Sequence, residues 1–298
     1  MFGFLNVDKP AGLTSRDVVN RVQRLVKPHK VGHAGTLDPL ATGVLVVAIG
    51  PATRLIEYVQ RLPKTYQATF LLGRTSDTED VEGDVVELPG AYIPTEEQLN
   101  AALPQFVGTI QQRPPAYSAL KVEGQRAYQL ARRGAAVELA ARPVEIFSLE
   151  ILRYAYPELE LLVRCGSGTY VRSLGRDLAQ SLGTGAVMSA LRRLAIGPFD
   201  TASAVAVAEL SLDLIQQRLQ PPLLALGELP HVEVNEQESS RLSQGQTIRN
   251  RWNLPGVELV AVNSAGQLVA LLRPANAGQL RPAKCFPASS GPLRTPPG

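Results

Sequence analysis

The sequence predicts an α+β protein: a central mixed, largely antiparallel sheet flanked by helices, followed by a small β-rich domain. Three observations lead there. Strand patterns follow one another as hairpins as often as they alternate with helical patterns, which favours antiparallel pairing over a doubly wound fold. The run Val44-Leu45-Val46-Val47-Ala48-Ile49 is continuously apolar and largely β-branched, as in a strand covered on both faces. The pair Pro221-Pro222 then interrupts the chain, and a separate hairpin pattern lies beyond it.

The elements are expected in this order. Phe2 to Val7 reads as a strand ended by the turn Asp8-Lys9-Pro10-Ala11-Gly12. Thr14 with Asp17 forms a capping box, and Val18, Val22, Leu25 and Val26 recur at helical spacing until Pro28. Residues 30–43 carry three glycines and a proline without an apolar period, so they read as a loop leading into the buried strand. A helix around Arg54 to Gln60, a strand from Thr65 to Gly73 and an acidic loop from Arg74 to Asp84 follow. Thr95 caps a helix reaching Phe106, Tyr117 to Gly124 reads as a hairpin arm, and Gln125 to Arg133 as a short basic helix. Val144 to Ala155 and Glu158 to Cys165 are strands joined at Tyr156-Pro157. A glycine-rich turn, Gly166 to Tyr170, opens a helix to Leu182, and Met188 to Ile196 returns to the sheet. A helix from Ser203 to Leu219 closes the large domain, residues 1–222. The hairpin of Val257 to Val262 and Leu268 to Leu272 belongs to a small domain over residues 229–284, and the Pro-rich tail, residues 287–298, is expected to be disordered.

Composition removes several classes. No apolar run near the N-terminus approaches the roughly 18 residues of a membrane span, and Met1 to Pro10 lacks the pattern of a signal peptide, so no membrane association and a cytoplasmic location are expected. Cys165 and Cys285 cannot build a disulfide framework, and His29, His33 and His231 lie in no metal-binding spacing, so no metal site is expected. There is no G-x-G-x-x-G after a strand and no G-x-x-x-x-G-K-[ST], which argues against dinucleotide and P-loop enzymes. The net charge of +3 is small but unevenly placed: residues 1–66 hold nine Lys/Arg against four Asp/Glu, residues 67–110 one against eight, and residues 111–200 twelve against eight. Arginine outnumbers lysine 24 to 6, which suits bidentate phosphate contacts and stacking on bases.

Alone, Asp38 before Pro39 is a turn former. In context it stands in Gly32-His33-Ala34-Gly35-Thr36-Leu37-Asp38-Pro39-Leu40-Ala41-Thr42-Gly43, pinned to the start of the buried strand, a rigid place for a reactive group. This stretch resembles the catalytic motif of the TruB family of tRNA pseudouridine-55 synthases. The resemblance continues in order through Leu5 to Ser15, Lys64-Thr65-Tyr66, Leu72 to Thr78, Pro115 to Lys121, Gly168 to Ser173 and Leu191 to Leu194, covering about residues 2–200.

The resemblance implies a pseudouridine synthase fold with a PUA-like C-terminal domain, a tRNA-binding insertion at about 74–150, and Asp38 as the catalytic carboxylate. That chemistry breaks the N1 to C1′ bond of uridine, turns the held ring and joins C5 to C1′ with no net redox change, so no cofactor is expected. The carboxylate serves as nucleophile toward C1′ or C6 or as base at C2′, and the sequence leaves these open. By the same mapping Arg172 pairs with Asp38, Tyr66 and Tyr170 are the aromatic partners of a base taken out of its stack, and Leu191 is an apolar wall. His33, which alone reads as a solvent-facing polar residue, maps to a contact with the T-loop. The implied partner is the tRNA T-stem-loop, met by a monomer without a guide RNA. A tRNA-folding chaperone without essential chemistry is the alternative from another class, and it predicts that Asp38 is dispensable.

Overall fold

The computed structural model describes residues 1–117, 121–122, 125–126, 139–252, 254, 258–276 and 278–287. The chain enters on β1 (Gly3–Lys9) and turns into α1 (Ser15–Leu25). Thr14 and Asp17 form the capping box, and Val18, Val19 and Val22 face inward. A short β2 (Val31–His33) then pairs antiparallel with β3 (Thr42–Ile49), where the sequence reading expects only loop. The reason lies in β3: a later strand, Ala186–Ile196, reaches its free edge only at Thr42 and Gly43, and β2 satisfies the backbone groups from Val47 to Ile49.

A 3₁₀ turn leads to α2 (Ile56–Arg61) and β4 (Lys64–Leu72). A small hairpin of β5 (Arg74–Thr75) and β6 (Val86–Glu87) brackets the acidic loop, and α3 (Glu96–Ala102), capped by Thr95, precedes β7 (Gly108–Gln112). β8 (Lys121–Val122) pairs with β9 (Gln125–Arg126), so the expected basic helix does not begin at Gln125, and its remainder from residue 127 lies outside the described residues. β10 (Arg142–Ala155) and β11 (Glu158–Cys165) form the expected hairpin. α4 (Val171–Ser181), β12 (Ala186–Ile196), β13 (Phe199–Asp200) and β14 (Val205–Ala206) follow.

The expected helix from Ser203 to Leu219 is a correction. Val205 and Ala206 pair in parallel with Val7 and Asp8, a 3₁₀ turn follows, and only α5 (Leu212–Arg218) is α-helical, started by the Ser211 side chain. Val205, Val207 and Ile215 are buried in one cluster with β1 and α1. Apolar spacing that fits a helix here serves a strand and a turn packed on the same core.

In space the large sheet runs β14-β1-β3-β12-β4-β11-β10-β7. β3 explains its own sequence: Val44, Val46 and Ala48 enter one core, Leu45, Val47 and Ile49 the core on the opposite face. On β4 the alternation is strict, with Lys64, Tyr66, Ala68, Phe70 and Leu72 buried on the face that α4 covers. Gly175 on α4 makes that contact close, since a Cβ there would sit 2.0 Å from Phe70.

Beyond α5 a second sheet forms from β15 (His231–Glu233), β16 (Ile248–Arg249), β17 (Leu259–Val262), β18 (Leu268–Pro274) and β19 (Gln279–Cys285), in the order β15-β17-β18-β19-β16, with α6 (Glu236–Ser243) against it. This is the PUA-like module. Its Val260, Leu268, Leu271 and Phe286 join the core of Phe4, Val44 and Val46, and Phe286 stacks on Phe2 at 5.5 Å between centroids. The tail beyond Pro287 lies outside the described residues. Among the described residues no helix is long and apolar enough to cross a membrane.

Candidate active site

The Asp38 loop is held from both sides by backbone-directed bonds. Lys9, fully buried, donates from Nζ to the carbonyls of Pro10 (3.0 Å), Leu13 (2.6 Å) and Pro39 (3.3 Å). The Gly12 amide also donates to Pro39 O (2.8 Å), and Ser15 Oγ accepts from the Leu37 amide (2.8 Å). From the sheet side, buried Arg193 donates through Nε to Val44 O (2.7 Å) and through Nη2 to Gly35 O (3.1 Å). Gly43 allows this approach: at φ +96° it stands where a Cβ would meet Arg193 O at 2.2 Å. Loop residues with no regular structure thus sit in fixed positions.

Asp38 turns its carboxylate, 37% exposed, into a cavity of about 340 Å³ between this loop, the start of β4 and the start of α4. Arg172 Nη2 lies 3.2 Å from its Oδ2. The same guanidinium reaches Asp80 Oδ2 at 3.0 Å and donates to Thr78 O (2.6 Å) and Tyr117 O (3.2 Å). Arg172 stands in the first turn of α4, where the helix dipole opposes a cation, and two carboxylates and two carbonyls compensate. The first carboxylate is the one the resemblance implies; the second carries no signal in the sequence. Asp80 is one of several acids in an acidic loop, and only the fold distinguishes it, burying it against Arg172.

Glu79 secures that loop. At φ +63° its backbone is in the left-handed region, and its carboxylate accepts from Ser173 Oγ (2.6 Å) and pairs with Arg176, both on α4. Burial pushes its carboxyl up, against the opposing pull of Ser173 and Arg176.

Tyr66, Tyr170, Leu191 and Arg172 line the cavity with Asp38. Tyr66 is buried on β4, with its phenol pushed up by burial against the opposing charge of Arg193. Leu191 stands opposite Ala68 in the β12–β4 register, and Arg193 opposite Tyr66. Tyr170 is placed by its backbone: its amide donates to Gln112 Oε1 (2.8 Å), its carbonyl accepts from Gln112 Nε2 (3.0 Å), and Arg142 lies over its ring at 5.4 Å. Lys64 and Arg193 complete the wall. His33 is the exception. It sits on β2 outside the lining, with Nδ1 buried, and burial pushes its imidazole pKa down against the opposing pull of the Gly35 backbone.

The TruB family pseudouridylate synthase (N terminal domain) model matches residues 23–171, and the tRNA pseudouridylate synthase B C-terminal domain model matches residues 172–225. The chain is 40% identical over 290 residues to the tRNA pseudouridine synthase B of Dehalococcoides mccartyi, covering 96% of this chain and 97% of that one. It is 42% identical over 298 residues to the tRNA pseudouridine synthase B of Caulobacter vibrioides, covering 95% and 96%. Its fold is similar to that of a chain in an H/ACA ribonucleoprotein bound to a substrate RNA containing 2′-deoxyuridine, with TM-score 0.73, 25% identity, and 96% of this chain and 85% of that chain covered. The fold, the family models and these relatives together define the class as an isomerase of the pseudouridine synthase type. Within that class, the chain belongs to the TruB family of pseudouridylate synthases.

Proposed function

We infer that the chain binds tRNA and isomerises uridine 55 of the T-loop to pseudouridine, using Asp38 after the base has left its stack. The observation that carries this reading is the Asp38 carboxylate, paired with Arg172 and opening into a cavity with Tyr66 alongside. Asp38 supplies an electron pair to the sugar or ring, or removes the C2′ proton; either route uses the same carboxylate. Stacking on Tyr66 and Tyr170, about 1–3 kcal/mol per base, offsets the cost of unstacking, while Leu191 closes an apolar wall and His33 meets the T-loop from outside the cavity.

The substrate choice rests on the relatives named tRNA pseudouridine synthase B, which match nearly end to end at 40–42% identity, against 25% for the H/ACA chain. Residues 1–222 form the catalytic domain, with the insertion at about 74–150 and the module at 229–284 extending the tRNA contact. The protein acts in the cytoplasm as a monomer, with no cofactor and no guide RNA. The test is incubation of purified protein with unmodified tRNA labelled at uridine C5, without cofactor or guide. Label release mapping to uridine 55 is the expected result; release that requires a guide RNA, or maps elsewhere, contradicts the reading.

A further inference from the structure

The charges around the cavity do not balance. Asp38 and Asp80 are both engaged by Arg172, while Lys64 and Arg193 add two more cations to the wall. Lys64 is 7% exposed and Arg193 2%. Among the described residues, no carboxylate oxygen lies within 4.0 Å of either. Arg193 spends donors on Val44 O and Gly35 O, both structural. Lys64 has three donors and bonds one acceptor, the carbonyl of Gln60. A buried ammonium without an anion is costly, and a cavity wall is where a reaction can use that cost.

Uridine isomerisation makes an anion at that wall. When N1–C1′ breaks, its electron pair stays on the ring and spreads to the carbonyl oxygens, next to a carboxylate of the wrong sign to stabilise it. Lys64 and Tyr66 are two apart on β4 and share the face that looks into the cavity. Oriented positive charge in a water-poor site acts most strongly on charge that develops during the reaction.

We propose that Lys64 is a second catalytic residue, donating a hydrogen bond to a uracil carbonyl oxygen as the ring departs, with Arg193 adding positive charge beside it. This rests on the reading of the cavity as a uridine site. Lys64 keeps its proton throughout. The N1–C1′ pair goes to the ring, and Asp38 either bonds C1′ or takes the C2′ proton. C5 then bonds C1′ as the Asp38–C1′ bond breaks and its pair returns to the carboxylate, or as the proton goes back to C2′; the C5 proton is lost, and N1 gains a proton. Burial, with Arg193 nearby, already holds the Lys64 pKa at about 8, the mark of a cation without a carboxylate partner.

The test compares wild type, Lys64→Met and Lys64→Arg in single-turnover reactions on C5-labelled tRNA. Loss of one such donor predicts about a 100-fold slower reaction for Lys64→Met, with tRNA affinity changed less than about threefold and most of the rate restored in Lys64→Arg. A second substrate carries 5-fluorouridine at the target position, its consumption followed after digestion to nucleosides. Fluorine withdraws electrons and makes the ring a better leaving anion, so the Lys64→Met deficit shrinks on this substrate. A wild-type rate for Lys64→Met, or equal deficits on both substrates, overturns the proposal. If the wild-type protein releases no label, the reading of the cavity itself fails, whatever Lys64 does.

Discussion

At the scale of single residues, Arg172 carries the most consequence, because it binds the cavity carboxylate of Asp38 and the buried one of Asp80 with the same guanidinium. The two differ in exposure: the Asp80 side chain is 3% exposed, Asp38 37%. Removing one partner of a buried pair costs about 3–5 kcal/mol, and that cost falls on Asp80, since solvent screens Asp38. Arg172→Met therefore lowers unfolding free energy in urea by roughly 3 kcal/mol and abolishes turnover. Adding Asp80→Asn recovers part of the stability and none of the activity; recovery of both would place Arg172 outside the chemistry. Lys64 gives a pH signature. Its lowered pKa, about 8, comes first from burial and then from Arg193 on β12, while the Cys165 thiol on β11, itself pushed up to about 11, stays neutral beside it. The protonated ammonium is the active form, so kcat/KM falls as pH rises through about 8. Lys64→Arg, which does not lose its proton in this range, removes that fall on the same substrate; identical profiles for the two proteins would contradict the assignment.

At the scale of elements, the catalytic geometry depends on how closely β4, β12 and α4 approach the Asp38 loop. Gly175→Ala drives a methyl into the Phe70 ring, and overpacking of this kind costs about 1–3 kcal/mol or more. Urea unfolding should show that loss, and Gly175→Ala/Phe70→Leu should relieve it; an unchanged midpoint in the single variant would mean that α4 does not sit so close. The same elements show what the sequence could reveal. The capping box at Thr14, the cap at Thr95, the β3 run and the β10–β11 hairpin are local patterns, and each is found where expected. Asp38, Tyr66, Tyr170, Arg172 and Leu191 were legible as members of ordered motifs, and they meet in one cavity. Other features had no local signal. β2 exists because β12 leaves part of the β3 edge unpaired, and β14 exists because β1 offers an open edge. Asp80 and Arg193 acquire their positions from contacts more than 90 residues away in sequence, which no spacing rule reports.

At the scale of the whole molecule, the PUA-like sheet and the large sheet share one core. Tyr58 on α2 donates to Glu258 (2.7 Å), burial and that bond push its phenol up, and Lys284 donates to Arg54 O (2.7 Å). The two sheets are thus packed as a unit through Phe2, Phe4 and Phe286. Within this frame the contacts that hold the Asp38 loop converge from distant parts of the chain: Lys9 from the end of β1, Ser15 from the start of α1, Arg193 from β12 and Arg172 from α4. The most direct test of the account is Asp38→Asn, a change that removes the carboxylate and nearly preserves its shape. Mixed in excess with C5-labelled tRNA, this variant should bind the tRNA with near wild-type affinity and release no label in a single turnover. Label release at a rate near wild type would contradict the central claim that this carboxylate performs the isomerisation.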